Sequence, residues 1–200
     1  MKPLPLATAW ETVGAAQPGI IPADGCMDLV TDGETVMVAG PDSRARRFVP
    51  RAHRPLWGVR FHPGLLPHLL GVPAQQLLDQ VVPLAAVSRL EITPTQLKAP
   101  KTLLTLYDAE ADKAMRVARA LADGESVVSV AEGANWSTRQ LRRLCASWFG
   151  YGPKHLQRVL RLREAEERLA QGMSMTDAAA SSGYTDASHL WRDRRDLGPD

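Results

Sequence analysis

Thirteen of the fifteen prolines fall between Pro3 and Pro100, and only Pro153 and Pro199 lie beyond them. A proline inside a helix removes a hydrogen bond and clashes with the preceding turn, so the first hundred residues can hold no long helix and the second hundred can. The chain is therefore expected to be an α+β protein of two domains. A small, mainly-β N-terminal domain would occupy 1–88, a linker 89–108, and an all-α domain 109–200. Two hundred residues with 44% apolar side chains suffice for two packed cores of that size.

In the first part, the apolar stretches 26–30, 35–39 and 57–61 are bounded by Asp-Gly and Gly-Pro turn signals and predict strands. Between 64 and 82, Leu65, Leu66, Leu69 and Leu70, then Leu77 and Leu78 after Pro73, recur at helical spacing and predict two short helices. Residues 88–100, SRLEITPTQLKAP, hold two prolines and no steady period, as a linker does. From Ala109 onward the breakers sit between helices. One helix carries Ala111, Ala114, Ala118 and Leu121 and ends at Asp123-Gly124. A second is capped by Ser126, and a third by Ser137, with Leu141, Leu144, Cys145 and Trp148 on its apolar face. Pro153 opens a long helix to Gly172. Two shorter helices follow, over 174–182 and 186–196.

This α-half repeats itself. Ala131, Asn135 and Trp136 recur 48 positions later as Ala179, Gly183 and Tyr184, and Leu141 and Arg143 recur 49 positions later as Leu190 and Arg192. Each copy has a short helix with alanine on its inner face, a residue tolerant of positive φ, an aromatic, a cap and a polar helix, which together predict a helix-turn-helix unit. Charge sharpens the reading. From Ser137 to Arg163 there are seven basic residues, Arg139, Arg142, Arg143, Lys154, Arg158, Arg161 and Arg163, and no acidic one, although the whole chain carries only +2. Arg139, Gln140, Arg142 and Arg143 lie opposite Leu141 and Leu144. Arginine pairs in two-pronged fashion with guanine O6 and N7, and glutamine can do so with adenine, as a helix in the major groove requires. Lys154 is expected to meet phosphate, and Arg158 and Arg161 phosphate or acidic neighbours. At about 1.5 Å per residue the long helix spans roughly 28 Å, close to the ~34 Å between successive major grooves. The expected partner is double-stranded DNA.

The string VAEGANWSTRQLRRLCASWFGYGPKHLQRVLRLREAEERL, followed by DAAASSGYTDASHLWRD, resembles the AraC/XylS family of transcription regulators over about 109–198, with its two helix-turn-helix units and the helix between them. The resemblance implies that Arg139, Arg142 and Arg143 in the first unit, and Ser188, His189 and Arg192 in the second, face DNA; Thr138 and Gln140 are expected among the DNA-binding residues of the first unit. Upstream, IIPADGCMDLV, VAGP and GVRFHPGLLPHLLGVPAQQLLD resemble an uncharacterised β-rich domain found at the N-terminus of some AraC-type regulators. The chain departs from the family pattern at Arg194, where an aromatic is expected, at Ala178, where a larger apolar residue is expected, and by lacking a closing segment after Leu197. The second unit is therefore expected to have the thinner core and to fray.

Other chemistry finds less support. Cys26 and Cys145 stand 119 positions apart with no CxxC, so neither a disulfide framework nor a zinc site is expected. Cys26 is the one candidate nucleophile, but nothing basic adjoins it in sequence to lower its pKa. His53, His62 and His68 lack the spacing of a local metal pair and are expected at the surface. Asp24, Asp28 and Asp32 sit beside glycines, as turn formers do. No enzyme, cofactor or metal is expected. No apolar run approaches 18 residues and the first residues are unlike a signal peptide, so a cytoplasmic protein without a membrane partner is predicted. The N-terminal domain is expected to bind a small-molecule effector or to form a homodimer, with RNA polymerase a further candidate partner. Residues 105–200 are expected to bind DNA by themselves. The rival reading is a ligand-binding or protein-interaction module whose helical domain has lost operator binding.

Overall fold

Strict alternation along β3 (Met27–Thr31) gives the N-terminal half its two-faced sheet. Met27 and Leu29 point to one side and pair across the ladder with Phe61 and Val59 of β6 (Trp57–Phe61), while Leu29 also opposes Val38 of β4 (Val36–Ala39). These side chains form one core with the leucines of α1 (Leu65–Leu70). The structure, a computed structural model, describes residues 6–12, 14, 17–49, 54–97 and 109–198. Its larger sheet has five antiparallel strands in the order β1-β6-β3-β4-β7, with β1 at Ala7–Glu11 and β7 at Val81–Pro83; β2 (Gly19–Ile21) pairs with β5 (Arg46–Phe48) in a second, two-stranded sheet.

All three strands read from the sequence are present. The four others escape a reading by pattern because they are three to five residues long and carry charge, proline or glycine in place of alternating apolar side chains. Of the two helices expected over 64–82, the first is α1 and the second is a single 3-10 turn, Ala74–Gln76, followed by strand β7. The stretch expected as a linker corrects further. Helix α2 (Leu84–Val87) and α3 (Pro94–Leu97) bring Leu84 and Leu97 into the sheet's core, with Leu90 and Ile92 half-buried beside them, so 84–97 is held by two buried and two half-buried apolar side chains. Residues 98–108 of that stretch and His53 lie outside the described residues.

The helical half follows its sequence signals closely. Helices α4 (Ala109–Ala122), α5 (Val127–Gly133), α6 (Thr138–Phe149), α7 (Pro153–Ala170), α8 (Met175–Ser181) and α9 (Ala187–Leu197) begin where expected, α5 and α6 directly after the caps Ser126 and Ser137 and α7 at Pro153. Ser126, Ser137, Ser174 and Asp186 each accept a backbone N–H of their helix's first turn. Both helix-turn-helix bends take the left-handed conformation that their residues allow, with φ 57° at Asn135 and 74° at Gly183.

The two halves share their cores. Ala23 is buried among the helices and Ala111 among the residues of the sheet domain. Helix α1 packs on α4 and α6, and the 3-10 turn packs on α6. One close approach is at Gly64, at φ 85°, where a Cβ would come within 2.8 Å of both Ala114 Cβ and Phe149 Cε1. Gly71, at φ 69°, has open space around it. Gly64→Val should therefore cost about 3 kcal/mol or more, combining left-handed strain with overpacking, and Gly71→Ala only about 1. Urea midpoints that fall equally for the two variants would refute the close packing.

Candidate nucleic-acid interface

Helix α6 is oriented by its apolar stripe: Leu141, Cys145, Trp148 and Phe149 are buried, which turns Thr138, Arg139, Arg142 and Arg143 to solvent. Among the described residues, Arg139, Arg142 and Arg143 have no hydrogen bond or ion pair. Gln140 is also exposed, but its Oε1 accepts the backbone N–H and the hydroxyl of Ser137, at 2.8 and 3.0 Å, and so closes a capping box. Lys154 is exposed on the first turn of α7, with its Nζ 3.4 Å from Gln157 Oε1.

The rest of the basic stretch is engaged by the protein itself. Arg158 Nε donates to Asp193 Oδ1 at 2.6 Å and its Nη1 lies 2.7 Å from Asp196 Oδ2, while Arg161 Nη2 donates to Asp193 Oδ2 at 3.2 Å and its guanidinium covers the Tyr184 ring at 4.2 Å. Asp193, only 4% exposed, is thus the ionic pin between α7 and α9. Arg163 donates to the Asp24 carbonyl at 3.2 Å. Glu164 and Arg168 pair at 2.9 Å, the surface helix pair that their spacing suggests.

On α9, Leu190, Asp193 and Leu197 face inward, leaving Ser188, Trp191, Arg192 and Arg195 as the outward stripe. His189 is placed differently from the expectation. It is half-buried, edge-on to Tyr184 with ring centroids 5.0 Å apart and Nε2 3.5 Å from Arg161, because the residue before Leu190 faces the α7 side of the helix. Trp191 and Arg195 were missed by pattern reading, although Trp191 stands 49 positions after Arg142, the offset that relates the two units.

The second unit is as short of large apolar side chains as its sequence suggests, yet it has other anchors. Arg194 Nε donates to Glu166 on α7 at 2.6 Å. The last carbonyls of α9 are met from the N-terminal half: Ala23 N–H donates to Leu197 O at 2.8 Å and Ala45 N–H to Asp196 O at 3.0 Å. Leu197 itself is fully buried.

Asp24 and Arg46, the residues that follow those two donors, line a cup of about 900 Å³ formed by the second face of the large sheet and the β2–β5 pair. On its floor, Asp28 accepts Trp10 Nε1 at 2.8 Å and Arg60 Nε at 3.2 Å, and Arg60 Nη1 lies 2.8 Å from Asp24 Oδ2. Asp28 is therefore a buried strand residue, not a turn former, whereas Asp24 and Asp32 do cap turns at Cys26 and Glu34. Burial raises the Asp28 carboxyl above its usual range and pushes Asp42, paired with Arg46 at 2.5 Å, up to about 6. Burial likewise raises the Cys26 thiol, despite Arg163 Nη1 at 3.9 Å. His62 and His68 are half-buried, not at the surface, because one contacts the Pro63 carbonyl and the other faces Trp148. No group of three metal-ligating side chains occurs among the described residues, nor a helix long and apolar enough to cross a membrane.

Comparison with known proteins finds a family model on each half of the chain. Residues 130–197 match a model described as a helix-turn-helix domain, and residues 6–83 match a domain of unknown function, DUF6597. No curated protein sequence matches. Among solved structures, ToxT from Vibrio cholerae shares the fold: its 1.65 Å structure aligns with a TM-score of 0.52 at 8% identity over 96% of this chain and 93% of that one. ToxT from Vibrio cholerae O395 aligns at 0.50 with 7% identity over the same shares. A ToxT structure with an unsaturated fatty acid bound aligns at 0.45 with 10% identity, over 96% and 91%.

Proposed function

Since the chain carries an AraC-type helix-turn-helix domain behind a DUF6597 domain, we propose that this DNA-binding transcription regulator reads two successive major-groove segments of one duplex, the first with α6 and the second with α9. The observation that carries the reading is the sorting of one basic stretch into two kinds of arginine. Arg158, Arg161 and Arg163 on α7 are occupied by protein acceptors. Arg139, Arg142 and Arg143 on α6 project without a partner among the described residues. In this reading, those three and Arg192 and Ser188 on α9 address bases, Thr138 and Lys154 address phosphate, and Gln140 and His189 hold their helices in place.

The cup in the N-terminal half is the proposed effector site. Its lining adjoins the contacts with α9: the loop that holds Asp24 also donates Ala23 N–H to α9, and the loop between Asp42 and β5, which Arg46 opens, donates Ala45 N–H. An effector that draws Arg60 or Arg46 from its carboxylate would move the donors that cap α9.

Selection of random duplexes by the full chain, followed by affinity measurement across salt, tests the reading. Arg142→Ala or Arg143→Ala should cost about 1–3 kcal/mol and relax base preference at one or two positions. Lys154→Ala should weaken all sequences alike and lower the salt slope by about one. Recovery of no preferred sequence, with binding indifferent to salt, would sink the proposal.

A further inference from the structure

The indole of Trp191 is 50% exposed on the outward face of α9, an unusual place for the largest apolar side chain of a soluble protein. We infer that Trp191 is a base-reading residue of the second unit and that its target is the C5-methyl group of a thymine. The inference rests on the DNA-reading function proposed above and deepens it.

Three observations support it. Trp191 precedes Arg192 and follows Leu190, so in the 49-residue repeat it occupies the place of Arg142, which the first unit turns to solvent between Leu141 and Arg143. It lies on the same stripe as Ser188, Arg192 and Arg195, and that stripe holds no carboxylate: Asp193 is buried against Arg158 and Arg161, and Asp196 is bonded to Arg158. The ring is also held ready, with the Arg195 guanidinium 4.9 Å from its centroid.

The chemistry selects the target. An indole has no hydrogen-bond acceptor and one donor, so it cannot copy the two-pronged contact of arginine with guanine. It offers a broad apolar face, and in the major groove the apolar group presented by a base pair is the thymine methyl. A protein partner is the less favoured occupant. Among the described residues, the other exposed large apolar side chains, Ile20, Val49, Val81, Val128 and Met173, lie off α9, so Trp191 stands alone among cations on its helix face.

The full-length protein is used to select duplexes from a random library, in parallel with Trp191→Ala and Trp191→Arg. The parent is expected to enrich a thymine in the second half-site, and exchange of that thymine for deoxyuridine should lower its affinity about fourfold, the worth of one buried methyl group. Trp191→Ala should be indifferent to the exchange while keeping the first half-site sequence. Trp191→Arg should move the preference at that base from thymine to guanine, which keeps the test decisive even if the alanine variant binds too weakly to select. The inference is overturned if the parent tolerates deoxyuridine at every thymine of the second half-site, or if both variants select the parent's sequence with unchanged affinity, an outcome that would leave the indole to a protein partner. Failure of the parent to enrich any sequence is a different result, and overturns the DNA-reading function itself.

Discussion

Expressed without the N-terminal half, residues 105–200 will melt well below the full chain and bind DNA at least tenfold more weakly, contrary to the independence that the sequence suggested. Separation would strip α1 and the 3-10 turn from α4 and α6, uncovering Ala114 and Phe149 where Gly64 now presses on them. Each large apolar side chain returned to water costs about 1.5–3 kcal/mol, from a total stability on the order of 5–15. The loss would be greatest at α9, whose Asp196 and Leu197 carbonyls would exchange the Ala45 and Ala23 amides for solvent. Hydrogen exchange over 187–197 is the informative measurement. Protection equal to that of the full chain would show that the second unit closes by itself.

Asp193→Ala is expected to be among the most damaging single changes in the protein, although the residue touches no proposed ligand. The substitution leaves Arg161, about one-quarter exposed, facing a site emptied of its carboxylate, and Arg158, about one-third exposed, with Asp196 alone. Removing one member of a buried ionic network costs about 3–5 kcal/mol; the partial exposure of the arginines places this case near 3. Because Asp193 joins α9 to α7, DNA contacts of the second half-site should weaken while those of the first persist. Footprints that shorten from both ends equally, or an unchanged thermal midpoint, would contradict the role given to Asp193.

The helical half was legible because its signals are local. A capping serine, an αL-tolerant residue and a 3.6-residue apolar period all act within one turn of the residue that carries them, so Ser126, Ser137, Asn135 and Gly183 announced their places. The outward turn of Arg139, Arg142 and Arg143 followed from Leu141 and Cys145. What stayed hidden depends on distant partners. Strands β1, β2, β5 and β7 exist by pairing with residues far along the chain and bear no periodic pattern. Asp28 looked like a turn former beside Gly25, and is a buried acceptor only because β1 and β6 bring Trp10 and Arg60 alongside it. His189 was assigned to the reading face from a resemblance, but the path of α9 over α7 turns it toward Tyr184. The packing of 89–97 was obscured by Pro94 and by Pro100 just beyond it, since proline content speaks of backbone shape and not of burial.

The capping box of α6 carries a consequence for the information content of an operator. Gln140 is the one uncharged residue of that helix able to discriminate adenine, and both of the Ser137 donors that it satisfies would be released if it reached for a base. A cap is worth about 1 kcal/mol, much the same as the low end of a specific base contact, so the exchange yields almost no net discrimination. The alphabet left to α6 is that of three arginines, which all favour guanine. An operator for this chain should therefore be compositionally lopsided, with a first half-site conserved chiefly at guanines and nearly silent at the base pair beneath Gln140.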